Sequence, residues 1–427
     1  MRAAAVAAAL AAGLLAAAPA AAVYRGHGGP VRAIVEPALP DALVTAGFDS
    51  SVIRWAQKDE TAAAVLRIHE GPVHALAALP DGRFASAGED GRVVVWSAGS
   101  AEPQRVLTGH QGPVVALAAS PDGALLASAA WDRTVRVWRL ADGAEIRRFE
   151  GHQDNVNGVA FTPDGRAVVS AGYDATLRTW PLDGTGAGTV LTLPAPLNGL
   201  VLAPDGEAIA AGADGRLHVV TPGGGAPLDL EVMQTPVTSL AISPDGTRLA
   251  AAGLRGTVAI VDRATRTPTA TLVGPGLPVW SLAFARDGRT LFTGGADRLV
   301  RRWNPVTGRP LDPVLPEPRD AAPDAVAERG ERVFRACRAC HTLTPEDGNR
   351  AGPTLHGLFG RRIASVPGYL YSEALKSMDI VWTPETVAKL FEVGPSAYTP
   401  GTKMPEQTIG DAADRKALVD WLEKATR

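Results

Sequence analysis

Two cysteines and a histidine lie together in the last quarter of this 427-residue sequence, which has no other cysteine. They form the motif Cys337-Arg338-Ala339-Cys340-His341. Two thiols three residues apart on a helical turn can add to the two vinyl groups of one haem, while the next residue places an imidazole under the iron. The Cys-x-x-Cys-His spacing is therefore typical of c-type haem attachment.

A zinc site or a thioredoxin-like site would also use closely spaced cysteines, but each requires more of the chain. A zinc site needs four ligands, and only three are present here, without a second cysteine pair. A thioredoxin-like motif should follow a strand in a βαβ unit, which the sequence does not predict at this point. Five residues can also occur by chance, so the surrounding sequence has to decide.

Helical patterns lie on both sides of the motif. Asp324 can cap a helix from Ala325 to about Ala336, directly before the cysteines. Residues Asp411 to Thr426 carry their apolar side chains on one stripe, which predicts a closing amphipathic helix. Prolines are dense from 305 to 323, and this predicts an extended, semi-rigid spacer before the helical region.

Further motifs follow the cysteines in a fixed order. They are Gly352–Arg361, Pro367–Tyr371, Ile380–Trp382, Tyr398–Met404 and Ala417–Leu422. With these motifs the chain from residue 328 to residue 427 resembles a class I (mitochondrial or c2-like) cytochrome c.

This resemblance implies one covalently bound haem c. Cys337 and Cys340 would be its thioether attachment points, His341 its proximal iron ligand and Met404 its distal ligand. Met404 lies in the Pro/Gly-rich loop Thr399–Pro405, where packing in a helical stripe does not explain it. Met/His ligation fills both axial positions and raises the reduction potential.

The resemblance also implies supporting roles around the haem. The carbonyl of Pro353 would orient the proximal imidazole. Tyr371 and Trp382 would hydrogen-bond a haem propionate, Arg361 would help to neutralise it, and Thr402 would line the propionate side. Core packing of the two aromatic side chains and a solvated charge at Arg361 are the alternative interpretations.

Two positions depart from the family pattern. Leu375 stands where the mitochondrial members have a polar residue, and Phe391 where they usually have a tyrosine near the methionine sulfur. Both changes remove hydrogen-bonding groups, so we expect a reduced water network on the distal side. Residues 324–427 carry 5 Lys and 9 Arg against 6 Asp and 8 Glu, which does not indicate strong electrostatic steering of partners.

Seven Pro-Asp-Gly-like turns divide the preceding part of the sequence at intervals of 40 to 42 residues. This period is typical of four-stranded propeller blades. Short β-branched runs between Asp/Gly turns predict an antiparallel meander in each unit. The aspartates of the turns are Asp41, Asp81, Asp122, Asp164, Asp205, Asp245 and Asp287.

Opening Gly-His pairs and closing tryptophans make these units similar to the WD40 repeat family. That resemblance implies a hydrogen-bonded network within each blade. A catalytic triad is the rival interpretation of a His–Asp–Ser set, but four copies favour a structural role. The matching sets are His27, Thr45, Asp49, Trp55; His69, Ser86, Asp90, Trp96; His110, Ser128, Asp132, Trp138; and His152, Ser170, Asp174, Trp180.

The later units depart from this pattern. Val220 and Val261 stand near the tryptophan position of units five and six, and we expect those blades to be less rigid. Unit seven recovers the tryptophan as Trp303 but lacks the opening histidine. Closure of the ring needs one outer strand from elsewhere, which we expect near Leu311–Leu315.

The first 22 residues are typical of an export signal. Met1 and Arg2 precede an apolar run that ends in the small-residue stretch Pro19–Ala22. A single-pass anchor is the rival interpretation, although the run is near the lower limit of length for spanning a bilayer. We expect cleavage after Ala22, a periplasmic or otherwise exported location, and no integral membrane span in the mature chain.

The sequence therefore predicts a multidomain protein. It comprises a signal peptide (1–22), an all-β seven-bladed WD40-type propeller (23–315), a Pro-rich linker (316–323) and an all-α class I cytochrome c domain (324–427). The formal net charge of −3 excludes bulk electrostatic binding to nucleic acid as the main function.

The predicted function is transfer of single electrons by the haem domain. Redox partner proteins would dock on the propeller face and at the haem edge. Two alternatives remain: a quinohaemoprotein-like dehydrogenase whose propeller holds a catalytic cofactor, and a haem-based redox sensor or scaffold.

Overall fold

The computed structural model describes residues 24–97, 99–184, 188–223, 225–273, 277–311, 329–334, 337, 341–344, 349, 352–369, 371–402, 404 and 408–427. These ranges hold seven four-stranded antiparallel sheets followed by five helices. The first strand of each sheet contacts the first strand of the next, and the seventh contacts the first. The sheets are therefore the blades of a closed seven-bladed propeller, as predicted.

The strands follow the predicted repeats. Strand β1 is Tyr24–Arg25. Blades one to three comprise β2 (Val31–Val35), β3 (Ala42–Gly47), β4 (Val52–Ala56), β5 (Thr61–Leu66); β6 (Val73–Ala78), β7 (Phe84–Gly88), β8 (Val93–Trp96), β9 (Pro103–Leu107); and β10 (Val114–Ala119), β11 (Leu125–Ala130), β12 (Thr134–Arg139), β13 (Glu145–Glu150).

Blades four to seven have the same layout. They comprise β14 (Val156–Phe161), β15 (Ala167–Gly172), β16 (Thr176–Pro181), β17 (Thr189–Thr192); β18 (Leu197–Leu202), β19 (Ala208–Gly212), β20 (Arg216–Val220), β21 (Leu228–Glu231); β22 (Val237–Ile242), β23 (Arg248–Gly253), β24 (Thr257–Asp262), β25 (Thr267–Val273); and β26 (Val279–Phe284), β27 (Leu291–Gly295), β28 (Leu299–Trp303).

Turn chemistry explains why the repeats fold this way. In blade three, Asp122 accepts hydrogen bonds from the Ser120 hydroxyl at 2.5 Å and the Ala124 N–H at 3.0 Å. Gly123 then takes a φ of 70°, which glycine adopts without the cost that other residues meet. The innermost strand pair of every blade has a register shift after its first paired residue. Such bulges bend a strand, and here they recur beside the central axis.

The predicted histidine networks are confirmed as hydrogen-bonded structure. In blade one, His27 Nδ1 lies 3.0 Å from Asp49 Oδ2, and His27 Nε2 lies 2.7 Å from Thr45 Oγ1. The Trp55 indole N–H donates to the same hydroxyl at 2.7 Å. A carboxylate can only accept, so Nδ1 carries the proton and Nε2 accepts the threonine hydroxyl. The same contacts recur in the sets that begin at His69, His110 and His152.

Blade five contains a histidine network that the sequence did not predict. His218 in β20 is fully buried, with Nδ1 2.7 Å from Asp229 Oδ1 and Nε2 3.4 Å from Asp214 Oδ1. Val220 in the same strand stands where blades one to four and blade seven have tryptophan. In place of the tryptophan network this blade thus has a buried histidine that is hydrogen-bonded to Asp229, while its Nε2 lies near Asp214 without a hydrogen bond. The lower rigidity of blades five and six stays a prediction.

The ring closes through the amino-terminal strand, so the prediction of a closing strand near Leu311–Leu315 was wrong. Strand β1 takes the outer position of blade seven by pairing antiparallel with β28. After β28, Pro310 forms a bridge with Trp303, and the Leu311 N–H donates to the Arg302 carbonyl at 2.9 Å. Residues 312–315 lie outside the described residues.

The helical region is compact and small. It contains α1 (Arg329–Phe334), α2 (Glu373–Lys376), α3 (Pro384–Val393), α4 (Pro395–Tyr398) and α5 (Ala412–Ala425). Asp411 caps α5 by accepting from the N–H groups of Ala413 and Asp414, which confirms the predicted closing helix. Residues 324–328 of the predicted first helix, and its cap Asp324, lie outside the described residues.

Helices α1 and α5 cross at a glycine. A Cβ on Gly330 would meet the Ala417 carbonyl oxygen at 2.0 Å, so only glycine permits this approach. The rings of Phe334 and Trp421 pack beside the crossing with their centres 4.8 Å apart. Among the described residues, no helix has the length and apolar character needed to cross a bilayer. The signal peptide (1–22) and the linker (316–323) lie outside the described residues.

Candidate functional site

One cavity dominates the helical region. It encloses about 1290 Å³ of empty space, its open mouth included, and lies between α1, α3 and α5 and the loops that join them. Its walls are mostly apolar, and the large side chains that line it are Phe334, Leu355, Leu358, Leu390, Phe391, Leu418 and Leu422. Such walls suit a flat aromatic macrocycle and keep water from it.

Two residues of the Cys-x-x-Cys-His motif lie within the described part of the chain, Cys337 and His341, and both line the cavity. The His341 N–H donates to the Cys337 carbonyl at 3.0 Å. Cys337 is buried there. Cys340, the second predicted attachment residue, lies outside the described residues.

The His341 ring is held from behind. Its Nδ1 lies 2.7 Å from the Pro353 carbonyl oxygen, which can only accept, so Nδ1 carries the proton and Nε2 is left with its lone pair. A Cβ on the neighbouring Gly352 would lie 2.3 Å from His341 Cε1. The geometry predicted for Pro353 is therefore present, and Gly352 makes room for the ring.

Met404 lines the same cavity from the loop after α4. Two hydrogen bonds order that loop: the Thr402 N–H donates to the Thr399 carbonyl at 3.0 Å, and the Met404 N–H donates to the Thr402 hydroxyl at 3.1 Å. Thr399 is buried and its hydroxyl donates to the Pro395 carbonyl at 2.9 Å. The thioether and the His341 imidazole thus belong to one enclosed space.

Arg361 and Tyr371 bring polar groups to the cavity wall. The Arg361 guanidinium donates to the carbonyls of His356 at 2.7 Å and Thr354 at 2.8 Å. Burial lowers the pKa of Arg361, while burial raises the pKa of the Tyr371 phenol to about 12. At neutral pH the phenol is a hydrogen-bond donor and the guanidinium a cation, which together suit a carboxylate.

Trp382 and Thr402 also line the cavity, and their predicted roles at a haem propionate stay predictions. The Trp382 backbone pairs with the loop that carries Arg361, because its N–H donates to the Arg361 carbonyl at 2.9 Å. The two departures from the family pattern, Leu375 and Phe391, both lie on the cavity wall. Neither brings a polar side-chain atom to it.

Sequence reasoning missed one residue of this wall. Arg67, which follows β5 in the propeller, lines the cavity together with the residues of the helical region. No local motif marks it, since it lies more than 250 residues before the cysteines and outside the network positions of its own blade.

The propeller has a second, polar cavity at its central channel. Arg32, Asn157, Asn198 and Thr238 are among its lining residues, and His74 stacks on Trp131 with ring centres 6.2 Å apart. Burial lowers the pKa of His74, against the effect of its 2.8 Å contact with Glu89. Within the described ranges no three His, Cys, Asp or Glu side chains are grouped to hold a metal ion.

A closed ring of WD40-type blades joined to a small helical domain, with an imidazole and a thioether facing one apolar cavity, defines a propeller-linked c-type cytochrome. The family described as "WD domain, G-beta repeat" matches residues 61–97, 101–139, 143–181, 230–262 and 266–304. The family described as "Cytochrome c" matches residues 327–426.

Individual proteins agree with this assignment. Cytochrome c of Cochliobolus lunatus is 42% identical over 102 residues, which are 24% of this chain and 94% of that protein. Cytochrome c of Arabidopsis thaliana is 42% identical over 102 residues, 90% of its length, and cytochrome c of Gibberella zeae is 40% identical over 101 residues, 94% of its length. Through its last hundred residues this chain belongs to the cytochrome c family. It therefore carries covalently bound haem c on an electron-carrier domain.

Proposed function

We propose that this protein is an exported single-electron carrier whose haem iron is held between His341 and Met404. Cys337 and Cys340 would form the two thioether bonds to the haem. The observation that carries the proposal is the pair of axial candidates in one cavity, with the His341 Nδ1 proton already engaged by Pro353 at 2.7 Å. That engagement leaves Nε2 as the ligating atom.

The chain's own residues favour electron exchange over substrate chemistry. When bound, the haem supplies one reversible electron. His341 and Met404 together would fill both axial positions, so no site is left for a substrate. The apolar wall includes Leu355, Leu390 and Phe391 and keeps water away. Such surroundings would favour the ferrous state, in which iron and porphyrin together carry no net charge.

The visible spectrum of the haem protein tests this assignment. In Met404→Ala we expect the methionine-to-iron charge-transfer band to disappear, because the sixth ligand is lost. Met378→Ala is the matched control, since Met378 follows α2 and does not line the cavity. Persistence of the band in Met404→Ala would contradict the proposed ligation, and a spectrum without haem would contradict the carrier function itself.

We propose that the propeller docks redox partner proteins, as WD40 propellers generally mediate protein interactions. Three large aromatic side chains, Phe48, Trp131 and Tyr173, are exposed. Trp131 and Tyr173 line the channel mouth. Aromatic side chains of this kind are enriched at protein interfaces.

The source of electrons separates this proposal from its alternatives. Reduction of the as-isolated haem by a partner protein alone is the expected result. Reduction by a small-molecule substrate, together with a quinone absorbance, would favour a quinohaemoprotein-like dehydrogenase. Unchanged respiratory flux after deletion of the gene would favour a redox sensor or scaffold.

The proposed location rests on residues 1–22, whose basic start, apolar run and small-residue end are typical of a signal peptide. Fractionation of an expressing bacterium, followed by intact mass of the haem protein, tests it. We expect an exported chain that begins at Val23. A haem-loaded chain that retains Met1 in the membrane fraction would support the single-pass anchor instead.

A further inference from the structure

The haem cavity is lined by both parts of the molecule. Arg67 follows β5, the outer strand of blade one, and is the one propeller residue among those described that lines the cavity. Its guanidinium carbon lies 5.9 Å from the centre of the Tyr369 ring, in a cation–π arrangement. The propeller therefore brings a cation to the wall of a site that the helical region otherwise forms.

Tyr369 is the link between the two parts. Its ring lies edge-on to Tyr371, with centres 4.7 Å apart, and Tyr371 lines the cavity. Tyr369 also packs against the buried propeller cluster that contains Tyr24 and Trp55. One tyrosine thus contacts the propeller core, the propeller arginine and a tyrosine of the cavity wall.

The charge on this wall is one-sided. Among the described residues that line the cavity there are three arginines and no aspartate or glutamate. Arg67 and Arg361 are partly buried, whereas Arg362 is exposed. A haem carries two propionate carboxylates on one edge, and cations that are partly withdrawn from water bind carboxylates more strongly than exposed ones do. The wall is therefore complementary to that edge.

Asp49 is a charged neighbour of Arg67 on the propeller side. The pKa of Asp49 is lowered: burial opposes its ionisation, but His27 and then Arg67 favour it. The Asp49 carboxylate accepts from the Gly28 N–H at 2.7 Å and lies 3.0 Å from His27 Nδ1. Asp49 thus makes its hydrogen bonds within its own blade, while Arg67 lines the cavity.

We propose that Arg67 is a positioning residue for the haem propionates, supplied by the propeller, and that docking of the propeller on the cytochrome c domain raises the haem midpoint potential. The inference rests on the proposed function, since only a haem-loaded chain has such a potential. Ferric haem carries one more positive charge than ferrous haem. A nearby cation therefore disfavours the ferric state and makes reduction easier.

Redox titration of the full-length haem protein tests this inference. In Arg67→Gln we expect a lower midpoint potential. The equilibrium constant for reduction should fall by about threefold to tenfold, and a tenfold fall corresponds to 59 mV for one electron. Arg67→Lys keeps the charge and should retain most of the potential. Arg92→Gln removes an equal charge from an exposed pair with Glu70, away from the cavity, and should leave the potential unchanged.

A second variant tests the link through Tyr369. Tyr369→Leu should lower the potential as well, and the double variant with Arg67→Gln should fall by less than the sum, because both changes disrupt one contact. If Arg67→Gln fails to fold, Tyr369→Leu carries the test alone. A midpoint potential equal to that of the wild type in Arg67→Gln would overturn the inference. If Arg67→Gln does not fold, the same result in Tyr369→Leu would overturn it. The haem spectrum tests the proposed function separately, so the two failures can be told apart.

Discussion

At the scale of single residues, the site depends on contacts that leave no room for extra atoms. Gly352 precedes Pro353, the residue whose carbonyl lies 2.7 Å from His341 Nδ1. In Gly352→Ala the new Cβ would lie 2.3 Å from His341 Cε1, so the ring must move. We expect a weaker bond between His341 Nε2 and the haem iron, and a partial loss of the low-spin six-coordinate spectrum.

Gly410→Ala is the control for that change. A Cβ at Gly410, in the loop before α5, meets nothing within 4 Å. Its absorption spectrum and thermal stability should equal those of the wild type. An unchanged spectrum in Gly352→Ala would show that the loop yields and that His341 is not held as tightly as its contacts indicate.

Local spacing makes part of this site predictable from sequence. The Cys-x-x-Cys-His motif predicts His341 as one candidate axial ligand, because the motif is short and chemically distinctive. The resemblance to cytochrome c, together with the Pro/Gly-rich loop Thr399–Pro405, predicts Met404 as the other. Arg67 could not be found in this way. Its proposed role depends on how the propeller and the helical region pack together, and no periodicity or motif in either region predicts that packing.

At the scale of elements, each blade with a histidine–tryptophan network depends on one hydroxyl that serves two partners. Ser128 in β11 is fully buried, with its Oγ 2.8 Å from His110 Nε2 and 2.9 Å from Trp138 Nε1. Ser128→Ala leaves two buried polar groups without that partner. At about 1–3 kcal/mol for each such group, we expect a loss of about 3 kcal/mol in the free energy of unfolding.

Urea denaturation followed by tryptophan fluorescence measures this loss. Ser97→Ala is the matched control, since Ser97 follows β8, is partly exposed and belongs to no blade network. Its effect should stay within about 0.5 kcal/mol, as is usual for surface substitutions. Equal midpoints for the two variants would contradict the structural role assigned to the networks.

The repeat pattern also accounts for which networks were predicted. Blades one to four keep the His, Ser or Thr, Asp and Trp at constant spacing, so the sequence predicts their contacts. His218 in blade five pairs with Asp229, which lies in the outer strand β21 at no repeated position. The contact between His218 and Asp229 uses a spacing that no other blade repeats, so the repeat pattern does not predict it.

At the scale of the whole molecule, ring closure and domain docking meet at the same corner. Strand β1 closes blade seven, and its Tyr24 belongs to the buried cluster against which Tyr369 packs. Sequence alone favoured the carboxy-terminal side for closure, because more residues follow the last tryptophan than precede the first blade. Within the described residues, however, β1 places the Tyr24 ring in the buried core, whereas the Leu311 side chain is half exposed.

Substitution of Tyr24 tests closure directly. Its ring is 1% exposed and lies 5.4 Å from the Trp55 ring and 6.5 Å from the Phe292 ring, so it joins blade one to blade seven. Truncation of a buried aromatic to alanine costs about 3–5 kcal/mol, and we expect Tyr24→Ala to lower the propeller unfolding temperature accordingly. Tyr173→Ala removes an exposed ring and should change it little. If both variants unfold at the wild-type temperature, closure does not depend on β1, and the ring is held by the contacts between the innermost strands alone.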